Sequence, residues 1–460
     1  MVFDDAVGWL TASELEDRSR RVAGRLASAG LQPGDRFLLS GEPSVDLVVS
    51  YVGALRLGLV VVPVNTAYRQ REVAHVVADA RPAGALVDVA ERGSWIRTAS
   101  GDRPIVVFGP TVELPSGSTP SAAAPALDVA RAEDPALLLY TSGTTGAPKG
   151  ALLSHGNLLA SADAVAMAWR WTPEDRLVCA LPLFHLHGLG VGLHGTLSAG
   201  GSVVLRPSFD AADVIRSIDD HRASLFFGVP TMYVRLAAAE QLGGLRRLRL
   251  CVSGSAPLSA DLHRAVSVAS GQHIIERYGM TETVMNVSNP YDGDRRAGTV
   301  GLPLPGVQVR LDDDTDEILL RGPNVFAGYW ERPEANAEAF VDGWFASGDV
   351  GAFDDDGYLR IVGRRKELII SGGYNVYPRE VEDVLRGARG VIDVAVVGVA
   401  DLQWGEAVVA FVEGDVDTGA LLAYGAERLA PYKRPKRVHR VDALPRNALG
   451  KVVKADLTEP

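Results

Sequence analysis

The chain has little of several features that mark special classes of protein. It holds two cysteines among 460 residues, and both Cys179 and Cys251 lie in apolar segments without metal-ligand spacing. Such sparse cysteine usage is typical of a reducing compartment. An excess of basic residues is also missing, because 46 Lys and Arg stand against 57 Asp and Glu, a formal net charge of −11. Nucleic-acid binding selects clustered positive charge, so no nucleic-acid partner is expected.

Targeting and membrane signals are missing from the sequence as well. The N-terminus lacks the basic segment and apolar core of a signal peptide, and the C-terminus lacks a prenylation motif or peroxisomal tag. The most apolar region, residues 47–64, is interrupted by Ser50, Arg56 and Pro63, which favours a buried helix and strand over a membrane span. We therefore predict a cytoplasmic protein with no membrane span.

The hydrophobic pattern predicts an α/β protein of more than one domain. Strand patterns at 36–39 and 59–63 flank a helix pattern at 45–57, and this alternation predicts βαβ units with parallel sheets. From about residue 297, short strands alternate with Gly, Asp and Pro turns. We predict a large domain at 1–365, with two βαβ-type sheets and a small β subdomain, and a small α+β domain at 366–460.

The segment at 140–150, Tyr-Thr-Ser-Gly-Thr-Thr-Gly-Ala-Pro-Lys-Gly, combines three glycines, four Ser and Thr hydroxyls and one lysine. Glycines let backbone N–H groups turn toward a ligand, and the hydroxyls and lysine add donors, so the segment is suited to phosphate oxygens. A Walker A loop needs Ser or Thr after its lysine, whereas Gly150 and Ala151 follow here. A flexible surface turn is the plain structural alternative.

Four further segments carry polar groups that suit nucleotide chemistry. Thr281 and Glu282 follow a strand-like pair of isoleucines and offer a hydroxyl donor and a carboxylate for Mg²⁺. Asp349, after a Gly turn, can accept from both hydroxyls of a ribose. A Gly-rich turn at 371–378 leads into a proline-started helix, and Lys451 ends a Gly-containing turn at 445–451. Each segment alone also fits an ordinary turn, helix entry or solvated lysine.

Taken together and in this order, the segments resemble the adenylate-forming superfamily of acyl-CoA synthetases, peptide-synthetase adenylation domains and firefly luciferase. The resemblance covers essentially the whole chain and includes Gly-Arg-x-Lys at 363–366. It implies an ATP-dependent enzyme that makes an acyl-adenylate and pyrophosphate, and then transfers the acyl group to coenzyme A. ATP, Mg²⁺ and CoA are the expected cofactor and co-substrates. The domain at 1–365 would bind ATP and the acid, and 366–460 would be a mobile lid with the catalytic lysine.

The resemblance also implies a role for each matching residue. The glycine-rich loop would cover the β- and γ-phosphates through Thr141, Ser142, Gly143, Thr144, Thr145 and Gly146. Lys149 would order that loop, Thr281 would contact the α-phosphate, and Glu282 would hold Mg²⁺. Further nucleotide contacts are expected from Gly254, Ser255, Ala256, Glu276, Arg277, Tyr278, Gly279, Met280, Asp349 and Arg364.

The resemblance implies roles for residues of the C-terminal domain as well. Lys451 would bridge the α-phosphate and the attacking carboxylate, because a positive charge where two anions approach lowers the barrier. Lys366 would be the hinge about which the domain rotates between half-reactions. CoA would contact Gly372, Gly373 and Tyr374. Acetylation would remove the Lys451 charge, so a protein acetyltransferase is a candidate partner.

The acid is predicted from the segments 276–286, 292–301 and 322–330, which are similar to malonyl-CoA synthetases. The planar fork of an arginine matches a second carboxylate, so malonate, and secondarily methylmalonate, is the expected substrate. The predicted acyl pocket comprises His185, Arg235, Ser255, Arg295 and Arg296. Which of the three arginines binds the distal carboxylate stays open at this point.

Three alternatives remain beside this hypothesis. A short- or medium-chain fatty-acyl-CoA synthetase is favoured if Arg235, Arg295 and Arg296 all face solvent. A peptide-synthetase adenylation domain is disfavoured because no acidic amine-binding site is evident. A non-catalytic ATP- or AMP-binding protein is a distant alternative, since Glu282 and Lys451 are both present.

Overall fold

The computed structural model describes residues 1–113, 125–141, 148–372, 374–447 and 450–459. It contains two compact units: Met1–Gln308 with Leu320–Phe345, and Val309–Leu319 with Ala346–Pro460. The predicted boundary at 365/366 concerns a functional hinge and stays a prediction. Within the described ranges, no helix combines the length and apolar character needed to cross a bilayer. The cytoplasmic location also stays a prediction.

Strands and helices alternate through the first part of the chain. The elements are β1 (Val2–Asp4), β2 (Gly8–Leu10), α1 (Ala12–Ser28), β3 (Arg36–Ser40), α2 (Val45–Arg56), β4 (Val60–Pro63), α3 (Gln70–Ala80), β5 (Gly84–Val87), α4 (Ala90–Ser100) and β6 (Val106–Phe108). Local chemistry fixes the helix starts. The Thr11 hydroxyl accepts from the backbone N–H of Glu14 at 3.2 Å, and the Glu14 carboxylate accepts from Thr11 N–H at 2.8 Å.

The alternation continues after the connection that follows β6. Its elements are β7 (Pro135–Thr141), β8 (Lys149–Ser154), α5 (His155–Ala168), β9 (Arg176–Cys179), α6 (His194–Ser198), β10 (Ser202–Leu205), α7 (Ala211–Asp220), β11 (Leu225–Gly228), α8 (Pro230–Ala238), β12 (Leu250–Ser253), α9 (Ala260–Ser270) and β13 (Ile275–Tyr278). A π-helical segment, His187–Leu193, leads into α6, and a 3₁₀ segment, Leu242–Arg247, precedes β12.

Shorter strands and one short helix follow β13. They are β14 (Val287–Ser288), β15 (Leu302–Pro303), β16 (Gln308–Leu311), β17 (Glu317–Arg321), β18 (Gly328–Tyr329), α10 (Pro333–Ala339), β19 (Phe340–Val341), β20 (Trp344–Phe353) and β21 (Leu359–Arg364). Strands β16, β17, β20 and β21 belong to a small sheet, and β20 and β21 pair antiparallel. This agrees with the predicted β subdomain.

Two large sheets organise the first unit. One has the order β18-β8-β7-β4-β3-β5-β6, with parallel pairing from β7 to β6, and the other has the order β15-β14-β13-β12-β11-β9-β10-β1-β2, with parallel pairing from β13 to β1. Parallel strands are buried on both faces, which explains their continuous apolar runs. All four residues of β4 and of β11 are buried. The predicted pair of βαβ-type sheets is confirmed.

The second unit contains an α+β fold, as predicted. Its remaining elements are β22 (Ile369–Ser371), β23 (Tyr374–Val376), α11 (Pro378–Arg386), β24 (Val391–Asp401), β25 (Gly405–Gly414), α12 (Thr418–Arg428) and β26 (Arg437–Val441), with 3₁₀ turns at Arg365–Glu367 and Lys454–Asp456. The sheet order is β23-β22-β25-β24, and β26 pairs parallel with β25. Helices α11 and α12 bury Val381, Leu385 and Leu421 in the same apolar cluster as β24 and β25.

Gly301 fixes the antiparallel edge that supports β13, and this gives a stability prediction. Its φ is +94°, and a Cβ there would lie 2.2 Å from both Ser288 O and Asn289 N. We expect Gly301→Ala to lower the free energy of unfolding by more than about 3 kcal/mol, since the backbone must shift. Urea denaturation measures the change.

Gly298→Ala is the matched control for this substitution. Gly298 also has a positive φ, +80°, but a Cβ added there would meet nothing within 4 Å. Only the conformational penalty of about 1–2 kcal/mol applies there. Equal losses in the two variants would contradict the steric explanation.

Candidate active site

Several predicted site segments meet at the carboxyl edge of the nine-stranded sheet. His185 and His187 follow β9, the turn at 254–256 follows β12, and Tyr278 ends β13. Strands β9, β11, β12 and β13 are parallel neighbours, so their carboxyl ends share one edge. Ligands of α/β proteins bind at such edges. The Ser255 hydroxyl lies 3.3 Å from His187 Nδ1, which joins two of these segments directly.

Arg277 places a buried cation at this edge. The residue is 5% exposed, and no hydrogen-bond partner of its Nε or Nη2 is found among the described residues. Loss of hydration lowers the pKa of Arg277 to about 9. A Cβ on Gly254 would lie 2.3 Å from Arg277 Nε, so the glycine provides the space for the guanidinium. A buried cation without a counter-charge is costly, and an anionic ligand would remove that cost.

Two imidazoles accompany this guanidinium. Burial, followed by repulsion from Arg277, lowers the pKa of His185 to about 4 and holds the pKa of His187 well below its usual value. Both rings are therefore neutral at pH 7. The His187 backbone N–H donates to His185 Nδ1 at 3.2 Å, which assigns the proton of neutral His185 to Nε2. Both side chains can hydrogen-bond a ligand without adding charge.

The turn after β13 is tightly constrained. The backbone N–H of Leu258 donates to Glu276 Oε1 at 3.0 Å, and that of Asn286 donates to Tyr278 O at 3.0 Å. A Cβ on Gly279 would lie 2.1 Å from Val284 O, so only glycine fits there. The Tyr278 hydroxyl donates to Met280 Sδ at 3.7 Å. These contacts fix the backbone that carries Thr281 and Glu282.

The phosphate-binding half of the predicted site includes residues from both large sheets. Thr141 ends β7 and pairs with Lys149 at the start of β8, where the Thr141 hydroxyl donates to Lys149 O at 3.4 Å. Glu282 is 6% exposed and accepts a hydrogen bond from the Tyr329 hydroxyl at 2.9 Å. Lys149 Nζ lies 5.3 Å from the centre of the same tyrosine ring. The loop residues Ser142, Gly143, Thr144, Thr145 and Gly146 lie outside the described residues.

The three arginines predicted to bind the distal carboxylate instead contact backbone carbonyls or a neighbouring carboxylate. Arg235 is exposed, donates to Phe209 O at 3.2 Å and lies 4.8 Å from the Phe209 ring centre. Arg295 donates to the carbonyls of His273, Pro290 and Tyr291 at 2.6, 3.3 and 2.7 Å. His273 precedes β13, at the opposite end of that strand from Tyr278. Arg296 Nε donates to Asp294 at 2.9 Å. Their carboxylate-binding roles stay predictions, whereas these contacts give each arginine a local structural role.

The second unit brings together its own predicted residues. Pairing of β20 with β21 sets Asp349 opposite Arg364, and Arg364 Nε lies 3.4 Å from Asp349 Oδ1. Lys451 shares this environment: loss of hydration around the ammonium, followed by repulsion from Arg364, lowers its pKa to about 8, although the side chain as a whole is exposed. Glu367 and Asp349 oppose this shift. Lys454 pairs with Glu367 at 3.0 Å.

The predicted hinge and CoA residues lie on the surface of the second unit. Lys366 is exposed within the 3₁₀ turn Arg365–Glu367. Gly372 has φ +60°, and a Cβ there would lie 3.1 Å from the Trp404 ring. Tyr374 is 58% exposed and stacks on Tyr432 with ring centres 4.7 Å apart. Gly373 lies outside the described residues. The hinge and CoA assignments stay predictions.

Tyr329 is a site residue that the sequence pattern does not single out. Its signal is the Gly-Tyr-Trp triplet at 328–330, within a segment notable only for its similarity to malonyl-CoA synthetases. Arg277 is predicted from the sequence, but as a nucleotide contact. Its sequence neighbours show a strand followed by a turn and do not reveal that its Nε and Nη2 are buried with no partner in the described part of the chain.

Comparisons with known proteins agree with this architecture. The model of the AMP-binding enzyme family matches residues 1–330, and that of the AMP-binding enzyme C-terminal domain matches residues 380–451. A feruloyl-CoA synthase from Amycolatopsis sp. is 38% identical over 97% of this chain and 93% of its own length.

Solved structures give the same result. The crystal structure of ATP-bound MatB from Rhodopseudomonas palustris is 41% identical, with a TM-score of 0.91, covering 99% of this chain and 94% of that one. A malonyl-CoA ligase in ternary product complex with methylmalonyl-CoA and AMP is 40% identical, with a TM-score of 0.70, over 97% and 96% of the two chains. The ligands of these two structures agree with the predicted use of ATP and CoA. The chain therefore belongs to the AMP-binding enzyme family, within the adenylate-forming superfamily, and is an AMP-forming acid–CoA ligase that works through an acyl-adenylate.

Proposed function

We propose that the acid is malonate, with methylmalonate as a second substrate. The reaction is malonate + ATP + CoA → malonyl-CoA + AMP + pyrophosphate. The observation that carries the proposal is the buried guanidinium of Arg277, whose Nε and Nη2 have no hydrogen-bond partner among the described residues, beside two neutral imidazoles. A carboxylate distal to the reacting one matches its planar donors. We therefore assign distal-carboxylate binding to Arg277 and no longer to Arg235, Arg295 or Arg296.

Selectivity for a dicarboxylic acid follows from the free-energy cost of leaving the buried Arg277 guanidinium without an anionic partner. A monocarboxylic acid of similar length would leave Arg277 buried without a counter-charge, whereas malonate would neutralise it. Sites that are built around buried polar groups reject analogues lacking the partner by about 10⁴-fold. Neutral His185 and His187 can each donate one N–H hydrogen bond to the same carboxylate without adding a charge to the site.

In the adenylation step, different residues bind or neutralise the charged groups of the substrates. The reacting carboxylate attacks the α-phosphorus of ATP and pyrophosphate leaves, with Thr281 donating to the α-phosphate and Lys149 ordering the phosphate loop. Glu282 is a buried carboxylate beside a threonine hydroxyl, a hard-oxygen set that suits Mg²⁺. Mg²⁺ bound there would offset phosphate charge. Lys451 would neutralise the two anions that meet in this step.

The second step transfers the acyl group to CoA. The CoA thiolate attacks the acyl carbonyl of the adenylate, the thioester bond forms, and AMP leaves. Asp349 would hold the ribose hydroxyls of the nucleotide. Gly372, Gly373 and Tyr374 would contact the pantetheine arm, and Lys366 would serve as the hinge between the two steps.

The role of Arg277 is tested by Arg277→Met. We expect kcat/KM for malonate to fall by at least about 10³-fold, because the ion pair with the distal carboxylate is lost. The free energy of unfolding of the ligand-free protein should stay equal or increase, since a buried unpaired charge is replaced by an apolar side chain. Pyrophosphate release across malonate, methylmalonate, acetate, butyrate and octanoate, with urea denaturation, measures both effects.

Arg235→Met is the matched comparison, because it removes the same group from an exposed position. We expect its acid preference to equal that of the unchanged enzyme. If Arg235→Met loses malonate activity while Arg277→Met keeps it, the assignment of the distal carboxylate is wrong.

The role of Lys451 is tested by separating the half-reactions. Lys451→Ala should lose adenylation by about 10²–10³-fold, the usual effect of removing one group that stabilises developing charge. It should still convert supplied malonyl-adenylate and CoA to malonyl-CoA. Pyrophosphate release and thioester formation are measured separately. Survival of both half-reactions would refute the assignment.

A pH profile gives an independent check on the same lysine. Its lowered pKa of about 8 means that the ammonium loses its proton as the pH rises through that value. The kcat/KM for adenylation, which reports the pKa values of the ligand-free enzyme, should therefore fall above pH 8, while thioester formation from supplied adenylate should not. Lys451→Arg keeps its charge, so the decline near pH 8 should disappear. An unchanged profile in Lys451→Arg would contradict the titration of Lys451.

A short- or medium-chain fatty-acyl-CoA synthetase is the second candidate. Its condition, that Arg235, Arg295 and Arg296 all face solvent, is met by Arg235 alone, since Arg295 and Arg296 are half-buried. The observation on its side is that Arg235 and Arg295 bind backbone carbonyls. The acid series decides between the two, since activity confined to butyrate or octanoate would support this candidate. A non-catalytic nucleotide-binding protein, the distant alternative, would release no pyrophosphate with any acid.

Regulation at Lys451 is part of the proposal. The side chain is exposed, so a protein acetyltransferase could reach it, and acetylation would remove the charge needed for adenylation. Mass spectrometry of the protein from its native source would show acetyl-Lys451 together with reduced adenylation. A consistently unmodified lysine would count against this partner.

A further inference from the structure

Tyr329 contacts two residues of the proposed phosphate site that come from different sheets. Its hydroxyl donates to Glu282 Oε1 at 2.9 Å, and its ring centre lies 5.3 Å from Lys149 Nζ. Glu282 follows β13 of the nine-stranded sheet, whereas Lys149 begins β8 of the seven-stranded sheet. One side chain therefore touches the proposed metal ligand and the loop lysine at the same time.

Hydrogen bonds to β8 and to Asn336 fix the backbone of Tyr329. Tyr329 pairs with Ala151 of β8, two residues beyond Lys149, and Trp330 N–H donates to Gly150 O at 2.8 Å. The Asn336 side chain accepts from Tyr329 N–H at 2.6 Å and donates to Tyr329 O at 3.0 Å. Gly328 has φ +149°, and a Cβ there would lie 2.8 Å from Asn336. The ring is thus fixed to the strand that carries Lys149.

The ring packing supports the same orientation. Phe326 meets Tyr329 edge to face, with ring centres 4.9 Å apart, and Phe326 also packs against Phe345 at 5.2 Å. The hydroxyl that this packing holds in place donates to Oε1 of Glu282. A hydrogen bond to one carboxylate oxygen fixes the rotation of the carboxylate group and thereby the direction of its other oxygen.

We propose that Tyr329 is a positioning residue for the ATP site, which orients Glu282 toward Mg²⁺ through its hydroxyl and Lys149 toward the phosphates through its ring. The proposal rests on the proposed roles of Glu282 and Lys149 but not on the identity of the acid. Hydrogen bonds to metal-ligating carboxylates tune metal affinity by about 10- to 100-fold. An ammonium over an aromatic face adds a smaller, separable contribution.

Two substitutions separate these contributions. Tyr329→Phe removes the hydroxyl and keeps the ring, and it should raise the Mg²⁺ concentration for half-maximal ATP binding by about 10-fold. Tyr329→Leu removes both, and should also weaken ATP binding at saturating Mg²⁺ by about 2- to 5-fold. Isothermal titration with ATP at a series of Mg²⁺ concentrations, without any acid, measures both changes. Because no acid is present, failure of the malonate proposal would not affect the result.

Tyr51→Phe is the matched control. The Tyr51 hydroxyl is hydrogen-bonded to the His194 ring, so this variant also removes one tyrosine hydroxyl bond from the same unit. The Mg²⁺ midpoint of this variant should stay within about twofold of the unchanged protein, because His194 is not a proposed metal ligand. Equal shifts in Tyr51→Phe and Tyr329→Phe would show a general structural effect and overturn the proposal.

A double-mutant cycle with Glu282→Gln completes the test. If the hydroxyl acts through Glu282, adding Tyr329→Phe to Glu282→Gln should change the Mg²⁺ midpoint no further. An undiminished additional shift would refute that route. Should Tyr329→Phe fail to fold in thermal melting, Tyr329→Trp keeps an aromatic face without the hydroxyl and carries the same expectation of a raised Mg²⁺ midpoint with retained ATP affinity.

Discussion

The proposed acid-binding half of the site depends on one buried guanidinium, whose Nε and Nη2 have no hydrogen-bond partner among the residues that the structure describes. Arg277 is the penultimate residue of β13, and Gly254 leaves the space that its Nε occupies. The same cation lowers the pKa of His185 and His187, in addition to the larger effect of their burial. Gly254 and the two imidazoles are therefore each coupled to Arg277, the glycine through space and the imidazoles through charge.

The phosphate half has a different organisation, because its groups come from two sheets. Lys149 is held by the antiparallel pair of β7 and β8, and Glu282 by the tight turn that Gly279 permits. Neither backbone determines the distance or direction between the two side chains. Tyr329, paired to β8 and hydrogen-bonded to Glu282, provides that link. A site made from two rigid sheets requires such a link if its charges are to stay aligned.

Much of the fold and the order of the site segments could be predicted from the sequence, because both depend on local patterns. Alternating strand and helix patterns identified β3, α2 and β4 within a residue or two at each end. Side-chain environments could not be predicted in this way. Arg295 and Arg277 stand close in sequence, yet the first donates to three backbone carbonyls, whereas Nε and Nη2 of the second have no partner among the described residues. That difference arises from tertiary packing, which residue type and spacing do not encode.

A buried unpaired charge also links selectivity to stability. In the ligand-free enzyme, Arg277 raises the free energy of the folded state, and an apolar residue of similar volume would be better tolerated. Structural reasons alone would not favour an arginine at this position. Under the proposed assignment, a dicarboxylate removes this cost on binding, whereas a monocarboxylate leaves it in place. The proposed discrimination thus lies in the relief of an existing energetic penalty as much as in any new contact, and it is coupled to a lower stability of the ligand-free protein.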